Sequence, residues 1–521
     1  MSAVRAHTVR GMCCLSVSLL CLVQMQSAVA TVQGAVMDQA KAVDPGAELQ
    51  RRSGLDRQNV VLILTDNHGP WTLGAYGNED IPTPHIDRLA REGILFTRAF
   101  ANNPVCSPTR ATLLTGLMPS QHGVHRYLGR GGAQVGPGAY NTIEEFDSLP
   151  SILAAAGYVT GLVGKWHLGD NLNPQEGFTY WVTKPEGGSA GFYDQEVVEG
   201  GEIRVEPSYL TDFWTDHGVR FIEESKNRPF FLYLAYNGPY GLGRAMEEEP
   251  IRNRHAARFA DHPLPSMPRD APHPWNYNYG DWMDNMQVRR KYAAEVSGID
   301  DGVGRILEAL RRMGLEQDTL VIFTGDQGLS GGHSGFWGMG DHTRPLTAFD
   351  WTFSIPLILR HPDEIPPNRR SDLLVSNYDL FPTLLSYLGL ESRIPSGGLP
   401  APGRNLENVL KGAGSVAWDN EVYFEFENVR AIRTEEWKYI ERAHQKPNEL
   451  YNLQSDRGER LNRYEDPETS AVRARLQEKL SAFFGRYTDP KWDLWKGGRS
   501  KSDLITGDLF GIRPGQEGRR D

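Results

Sequence analysis

Short apolar runs alternate with amphipathic stretches through most of the chain. Four of these runs are bounded by polar residues, as is typical of buried strands: Asn59–Thr65, Val159–Val163, Phe230–Tyr236 and Thr319–Thr324. In the segments between them, apolar positions recur at helical spacing, which predicts helices at Pro84–Gly93, Leu149–Gly157, Asp212–Ser225, Met286–Met313 and Tyr378–Gly389. The alternation predicts an α/β fold with a large mixed, mostly parallel sheet sandwiched by helices.

The pattern changes after about residue 395, where proline and glycine become frequent. Glu421–Phe426 and Ala431–Ile440 have the composition of antiparallel strands, and Ala471–Phe484 has the spacing of a closing helix. These elements predict a smaller C-terminal α+β domain. Upstream of it, residues 240–285 show little periodicity and are rich in Pro, Trp, His and Arg. We expect a long insertion near the site, in which Trp275 and Trp282 either line a carbohydrate subsite or pack as a lid.

The N-terminal residues have the features of a signal peptide. Arg5 and Arg10 precede the short apolar run Met12–Val23, and Ala28-Val29-Ala30 forms a cleavage site of the A-x-A type. The run is too short for a stable membrane span, so we expect export to the periplasm or the extracellular space. The predicted organisation is a signal peptide at 1–30, a polar leader at 31–57, a catalytic domain at 58–395, and a C-terminal subdomain with a small antiparallel sheet and tail at 396–521.

Charge and cysteine usage narrow the functional classes. The formal net charge is −11, which argues against binding nucleic acid through a basic face. Three of the four cysteines, Cys13, Cys14 and Cys21, fall in the predicted signal peptide. The mature chain therefore keeps the single thiol of Cys106 and forms no internal disulfide.

Polar residues follow the predicted strands at their carboxyl ends. Asp66-Asn67, Lys165, Asn237 and Asp326-Gln327 each come directly after one of the four apolar runs or one residue beyond it. Ligands of open α/β sheets bind at this edge, so these residues are expected to converge although they are far apart in sequence. The two Asp-containing pairs supply carboxylate and amide oxygens, which suit a hard cation. We favour Ca²⁺, with Mg²⁺ as the alternative.

Cys106 is predicted to stand at the start of a helix. Pro108 fits the first helical turn and Gly116 fits a C-terminal stop. Backbone N–H groups and the macrodipole favour negative charge at a helix start. Arg110, four residues after Cys106, can reach back over the same face. The local sequence thus predicts an environment that stabilises an anion.

The stretch Cys106-Ser107-Pro108-Thr109-Arg110, which continues to Gly116, resembles the signature C-x-P-x-R followed by x-x-L-L-T-G of the sulfatase family in the alkaline phosphatase superfamily. The resemblance extends over most of the chain after residue 58, with further motifs at Thr83–Leu89, Gly116–Gly123, Gly164–Gly169, Ala431–Tyr439 and Glu449–Leu453.

The resemblance implies a sulfuric ester hydrolase whose Cys106 is oxidised to formylglycine by a maturation enzyme. The expected substrate is a sulfated small molecule or, more specifically, a sulfated carbohydrate. Asp66, Asn67, Cys106, Asp326 and Gln327 form the expected metal site.

Arg110 and Lys165 are expected to hold the charge that develops on the sulfate. His167 either protonates the leaving alcohol or assists the hydroxyl whose deprotonation expels sulfate.

The chain departs from the family pattern at several positions. Asn67 and Gln327 replace residues that are usually Asp and Asn or His, which implies weaker metal binding or a different ion. Tyr240 follows the strand where the family usually has His, and Asn237 lies beside it. The usual Lys between Gln327 and the strand Ile355–Leu359 is missing, and His333, His342 and Arg344 are the available substitutes. Tyr240, Asn237, His342 and Arg344 are therefore the candidate substrate-binding residues.

Two alternatives stay open from sequence. One is a phosphonate monoester or phosphodiester hydrolase of the same superfamily. The other is a catalytically dead protein that binds sulfated glycans, a reading motivated by the substitutions at Asn67, Tyr240 and Gln327. Retention of Cys106, Pro108 and Arg110 argues against the second alternative.

Overall fold

A computed structural model describes residues 58–188, 191–394, 398–413, 417–444 and 446–505. The predicted signal peptide and polar leader lie outside the described residues, as does the tail from residue 506. Within the described ranges, no helix combines the length and the apolar character that a membrane span requires.

A large mixed sheet forms the centre of the fold. Its strands are β1 Asn59–Asp66, β2 Ile94–Phe100, β3 Val159–Gly164, β4 Tyr180–Thr183, β5 Gln195–Glu199, β6 Glu202–Glu206, β7 Phe230–Pro239, β8 Thr319–Gly325, β9 Ser354–Ile355, β10 Leu357–Arg360 and β11 Arg369–Ser376. They lie in the order β11-β2-β10-β8-β1-β7-β3-β4-β5-β6, and β9 pairs with β2. Strands β8, β1, β7, β3 and β4 run parallel, whereas β10 is antiparallel to both of its neighbours. The predicted fold class is confirmed.

Helices cover both faces of this sheet. Their bounds are α1 Pro84–Arg91, α2 Cys106–Thr115, α3 Pro119–His122, α4 Leu149–Ala155, α5 Leu210–Ser225, α6 Arg244–Glu248, α7 Ala256–Phe259, α8 Met286–Arg312, α9 Asp350–Phe353, α10 Leu380–Tyr387, α11 Glu407–Leu410 and α12 Ser470–Arg486. All five helices predicted between the strands are present, with ends shifted by one or two residues. The long helix α8 begins where the Asn285 side chain accepts hydrogen bonds from the backbone N–H groups of Gln287 and Val288.

The two-residue period of a strand divides the core into two layers. In β1, Val61 and Ile63 join the cluster that contains α5 and α8, whereas Val60, Leu62 and Leu64 join the cluster that contains α2, α4 and α10. Every residue of β1 is buried. Full burial of each large aliphatic side chain contributes roughly 1.5–3 kcal/mol, so the central strands anchor the edge at which they end.

The C-terminal part contains a separate antiparallel sheet. Its strands are β12 Glu421–Phe426, β13 Val429–Thr434, β14 Trp437–Arg442 and β15 Glu449–Asn452. The prediction of one strand over Ala431–Ile440 is wrong, because the chain reverses at Glu435 and Glu436 and Ala431 pairs with Ile440 in a hairpin. Helix α12 packs on this sheet through Leu476, Leu480 and Phe484.

Candidate active site

The parallel strands bring distant polar residues to one edge of the sheet. Because β1 pairs with β8 on one side and with β7 on the other, Asp66 and Asp326 follow neighbouring strands. The Sγ of Cys106 and one carboxylate oxygen from each of these two residues lie within 4.8 Å of one another, and all three side chains are buried. Asp66 and Asp326 thus meet at this edge of the sheet, as the sequence predicts.

Helix α2 delivers Cys106 to this edge. The helix begins at Cys106 after the extended residue Val105. It ends before Gly116, whose φ of 73° lies in the left-handed region that glycine adopts easily. Its first residue is only 3% exposed. The Sγ of Cys106 is 3.2 Å from Nε2 of Gln327 and 3.3 Å from Nζ of Lys165. Two N–H donors, from Gln327 and Lys165, thus point at the sulfur atom of Cys106.

The unmodified thiol is a poor nucleophile in this environment. Burial raises the pKa of Cys106 to about 12, and the negative charge of Asp66 adds to the increase. A thiol with this pKa is protonated at neutral pH, and thiolate is the reactive form.

Arg110 lies beneath the reaction centre and joins the two carboxylates. Its Nη2 is 2.8 Å from Oδ2 of Asp326 and 3.3 Å from Oδ2 of Asp66, and its Nη1 donates to the carbonyl oxygen of Lys165. The guanidinium is fully buried. Burial lowers its pKa, but Asp326 and Asp66 raise it by more, so the group stays charged. Arg110 does not line the cavity that opens above Cys106.

Lys165 places a second cation beside Cys106. Its Nζ forms a short ion pair with Oδ2 of Asp66 and is 1% exposed as a side chain. Burial lowers the pKa of Lys165, but the carboxylate of Asp66 outweighs this effect and the net shift is upward. The two carboxylates and the two cations, Arg110 and Lys165, cancel in formal charge.

The oxygen donors around the carboxylates fit a hard cation. Asn67 and Gln327 are fully buried next to Asp66 and Asp326, and their side-chain amides contact each other. The Oε1 of Gln327 is buried and has no hydrogen-bond partner within the described part of the chain. A buried acceptor without a donor is costly, and a cation would satisfy it. The residues present therefore fit a divalent ion.

His167 lines the cavity with one free nitrogen. Its Nε2 is 3.0 Å from the carbonyl oxygen of Leu128, so Nε2 carries the hydrogen and Nδ1 holds a lone pair. Among the described residues Nδ1 has no hydrogen-bond partner. Burial lowers the pKa of His167 well below its usual value, with a further contribution from Lys165. A Cβ at Gly187 would come within 1.9 Å of this ring, so the close packing requires glycine there.

A cavity of about 510 Å³ opens above the sulfur of Cys106. It includes the predicted residues Cys106, Lys165, His167, Tyr240 and His342. The backbone N–H of Tyr240 donates to the carbonyl oxygen of Asp66 at 3.0 Å, which fixes its ring beside Nζ of Lys165. Burial raises the pKa of the Tyr240 hydroxyl well above its usual value, with Cys106 as the next contribution. This phenol therefore keeps its proton.

Three of the residues predicted to bind substrate or to replace the missing lysine do not line the cavity. Asn237 is buried behind it and accepts a hydrogen bond from Nε1 of Trp214 at 2.9 Å. The Nη1 of Arg344 donates to the carbonyl oxygens of Asp341 and Thr343. His333 stacks on Trp351 with ring centroids 3.8 Å apart.

The insertion contributes to the cavity wall through residues other than its tryptophans. Trp282 is 6% exposed in the core, and Trp275 stacks on Phe349. Neither tryptophan lines the cavity, whereas Leu242 and Tyr279 of the same segment do. The tryptophans therefore pack the segment against the protein.

Sequence reasoning named His342 in the loop 339–342 but missed its neighbours Met339 and Asp341. Met339 and Asp341 line the cavity beside His342, and Sδ of Met339 is 3.9 Å from Nε2 of Gln327. The available signal was a glycine-rich segment with polar residues shortly after the strand end at Asp326. Gly338 in this segment has a φ of 126°, and a Cβ there would collide with His342.

The fold and the site define an α/β protein with a buried helix-start residue beside a set of metal-binding oxygen donors. The sequence model described as Sulfatase matches residues 58–390, and a second, described as N-sulphoglucosamine sulphohydrolase, C-terminal, matches residues 342–484. The chain belongs to the sulfatase family, whose members are sulfuric ester hydrolases.

Individual relatives agree with this assignment. The chain is 26% identical over 526 residues to an N-acetylglucosamine-6-O-sulfatase of Bacteroides thetaiotaomicron, covering 85% of this chain and 90% of that protein. It is 32% identical over 348 residues to human N-sulphoglucosamine sulphohydrolase, a match that spans 64% of this chain and 61% of the human protein. A solved structure in complex with its substrate D-glucosamine-2-N,6-O-disulfate matches with a TM-score of 0.65 at 25% identity, covering 83% of this chain and 98% of that one.

Proposed function

We propose that this chain hydrolyses a sulfate ester on a glycan and that Cys106, after oxidation to formylglycine, provides the nucleophile. One observation carries the proposal: residues that follow two separate strands meet the helix-start Cys106, with the reacting atom and both carboxylates within 4.8 Å. The reaction breaks the sulfur–oxygen bond of the ester and consumes one water, giving the free alcohol and sulfate.

The two groups that complete the site have separate tasks. A divalent ion held by Asp66, Asn67, Asp326 and Gln327 would polarise a sulfate oxygen and favour ionisation of a hydroxyl. We propose Ca²⁺, with Mg²⁺ as the alternative. Ca²⁺ accepts irregular sets of oxygen ligands, such as two carboxylates and two amides, more readily than Mg²⁺ does. The hydrated aldehyde at position 106 supplies the attacking hydroxyl.

The cations of the chain stabilise the charge on sulfate. Lys165 already lies 3.3 Å from Sγ of Cys106, so its ammonium is within reach of an anion bound above that position. Arg110 acts from below by holding Asp66 and Asp326 in place. Because Arg110 is fully buried and does not line the cavity, we assign it a positioning role.

His167 is the proposed proton acceptor of the site, and Tyr240 is the proposed hydrogen-bond donor. The Nδ1 of His167 carries a lone pair and no hydrogen, which favours the role of assisting the hydroxyl of residue 106 over that of protonating the leaving alcohol. Tyr240 keeps its proton and can donate a hydrogen bond to the ester oxygen or to the sulfate.

The proposal of a glycan substrate draws on the relatives. The bacterial relative is named for sulfate removal from N-acetylglucosamine, and the solved neighbour holds a disulfated glucosamine. The cavity volume of about 510 Å³ falls within the range of small-molecule sites. We further propose export to the periplasm or the extracellular space, a maturation enzyme that oxidises Cys106, and domain limits at residues 58–395 and 396–521.

The test uses the full mature chain produced together with a formylglycine-generating enzyme. We expect turnover of sulfated monosaccharides and of 4-methylumbelliferyl sulfate, and loss of both activities in Cys106→Ala with the thermal unfolding temperature retained. Faster turnover of a phosphonate monoester than of any sulfate ester would instead assign the chain to the other hydrolase class. Tight glycan binding without turnover by fully modified protein would support a binding role.

A further inference from the structure

The cavity wall combines two sets of side chains of different chemical character. Cys106, Lys165 and His167 suit the sulfate group. Asp341 and His342, on the single helical turn Gly340–His342, offer a carboxylate and an imidazole. A carboxylate that holds no metal ion repels sulfate, so this second set suits a part of the substrate that carries no sulfate.

Asp341 is a buried carboxylate with one free oxygen. The residue is 5% exposed, and its Oδ2 accepts a hydrogen bond from Nη2 of Arg126 at 3.3 Å. Its Oδ1 is buried and has no hydrogen-bond partner within the described ranges. The Nε2 of His342 lies 3.2 Å from this oxygen without hydrogen-bond geometry. A buried ionised oxygen without a donor is costly, and a ligand donor would remove that cost.

The charged groups around the Asp341 carboxylate are shared with other partners. Arg126 also pairs with Glu427, so one guanidinium is shared by two carboxylates. Arg344 donates to the backbone carbonyl oxygens of Asp341 and Thr343. His342 lies beside the carboxylate, and burial lowers the pKa of this histidine, which favours the neutral imidazole. The Nδ1 of His342 is buried and, among the described residues, also lacks a partner. Both free atoms belong to residues of the cavity wall.

This wall is close to the reaction centre. The Nε2 of Gln327 lies 3.2 Å from Sγ of Cys106 and 3.9 Å from Sδ of Met339, which is two residues before Asp341. Tyr279 packs edge-on against His342 with ring centroids 4.8 Å apart and fixes the imidazole from the other side. The loop that carries Asp341 and His342 is thus in contact, through Met339, with a residue that touches Cys106.

We propose that Asp341 and His342 form a specificity subsite that accepts hydrogen bonds from a hydroxyl or ammonium group on the sugar ring carrying the sulfate. This inference rests on the proposed function. It further specifies that the substrate carries a hydrogen-bond donor near the sulfate ester. Asp341 binds the donor through Oδ1, while Arg126 keeps Oδ2 in place.

The test compares Asp341→Asn and Asp341→Ala with the parent protein, using glucosamine 6-sulfate, N-acetylglucosamine 6-sulfate and glucose 6-sulfate beside 4-methylumbelliferyl sulfate. The aryl ester has no donor to offer. We expect the ratio of kcat/KM for the best sugar to kcat/KM for the aryl ester to fall on the order of 10- to 100-fold in both variants, because each loses a hydrogen bond to a charged acceptor. A larger fall for glucosamine 6-sulfate than for glucose 6-sulfate identifies an ammonium, and equal falls identify a hydroxyl.

Asp363→Asn is the matched control, because Asp363 is an exposed carboxylate that does not line the cavity, and we expect it to leave the ratio unchanged. An unchanged ratio in both Asp341 variants, or sugars that neither react nor inhibit aryl ester hydrolysis, would overturn the subsite. Either result leaves the sulfatase proposal standing if the parent hydrolyses the aryl ester and Cys106→Ala does not. Retained turnover in Cys106→Ala would overturn the proposed function itself.

Discussion

Replacing Arg110 with methionine isolates the electrostatic support of the site. The substitution removes the guanidinium that contacts both Asp66 and Asp326, and all three side chains are fully buried. Removing one partner of a buried ion pair costs roughly 3–5 kcal/mol, because the remaining charge has no compensation. We expect Arg110→Met to lower the free energy of unfolding by about this amount when a chelator removes divalent ions.

Excess Ca²⁺ should restore much of that loss. An ion held by Asp66 and Asp326 compensates the same carboxylates, and a ligand that binds only the folded state stabilises it. Ca²⁺ is therefore expected to stabilise Arg110→Met more than the parent. Urea unfolding of the unmodified thiol form, with chelator and with Ca²⁺, measures both values.

Arg289→Met provides the comparison. Arg289 is also fully buried, but it donates hydrogen bonds to the backbone carbonyl oxygens of Met283 and Pro268 and forms no ion pair with Asp66 or Asp326. The decrease in the free energy of unfolding caused by Arg289→Met should be the same with and without Ca²⁺. If Ca²⁺ stabilised both variants equally, or if Arg110→Met lost no stability in chelator, the assigned role of Arg110 would be refuted.

Further predictions concern the metal site and the proton acceptor. Asn67→Asp adds a carboxylate beside Asp66, so the Kd for Ca²⁺, measured by calorimetry, should fall on the order of 10-fold or more; an unchanged Kd would show that residue 67 is not a ligand. Burial raises the pKa of Asp326 to about 6, with a further contribution from Asp66, and metal binding requires the deprotonated form. The affinity for Ca²⁺ should accordingly weaken by up to about tenfold per pH unit as the pH falls below about 6, and a Kd independent of pH between 7.5 and 5 would contradict this assignment. His167→Asn replaces the basic Nδ1 by an amide that cannot take up a proton. It should lower kcat roughly 100-fold or more while the Kd for Ca²⁺ stays the same; a variant with full kcat would exclude His167 as the proton acceptor.

The large sheet could be predicted from sequence because its strands are continuous apolar runs. Asn59–Thr65 and Thr319–Thr324 are buried on both faces, and such runs stand out without an alignment. The small sheet was harder, because the turn at Glu435 and Glu436 has charged residues where glycine or asparagine is usual. The side chain of Thr434 accepts a hydrogen bond from the backbone N–H of Trp437 and closes this turn.

The positions of the strand ends in the sequence predicted that Asp66 and Asp326 converge. They did not predict the direction in which every side chain after a strand points. Asn237 follows an apolar run in the same way, yet β7 continues to Pro239 and Trp214 holds the amide behind the cavity. Asp341 lies in an irregular loop whose path depends on packing against Tyr279 and Arg126. Such contacts are between distant segments, so local sequence pattern carries no information about them.

The state of residue 106 tests the central claim most directly. The tryptic peptide Ala99–Arg110 contains this residue, and mass spectrometry can quantify its aldehyde and thiol forms in preparations made with different amounts of the maturation enzyme. The account predicts that sulfate release rises in proportion to the aldehyde fraction and vanishes when that fraction is zero. Full turnover by protein in which every such peptide carries the thiol would contradict it.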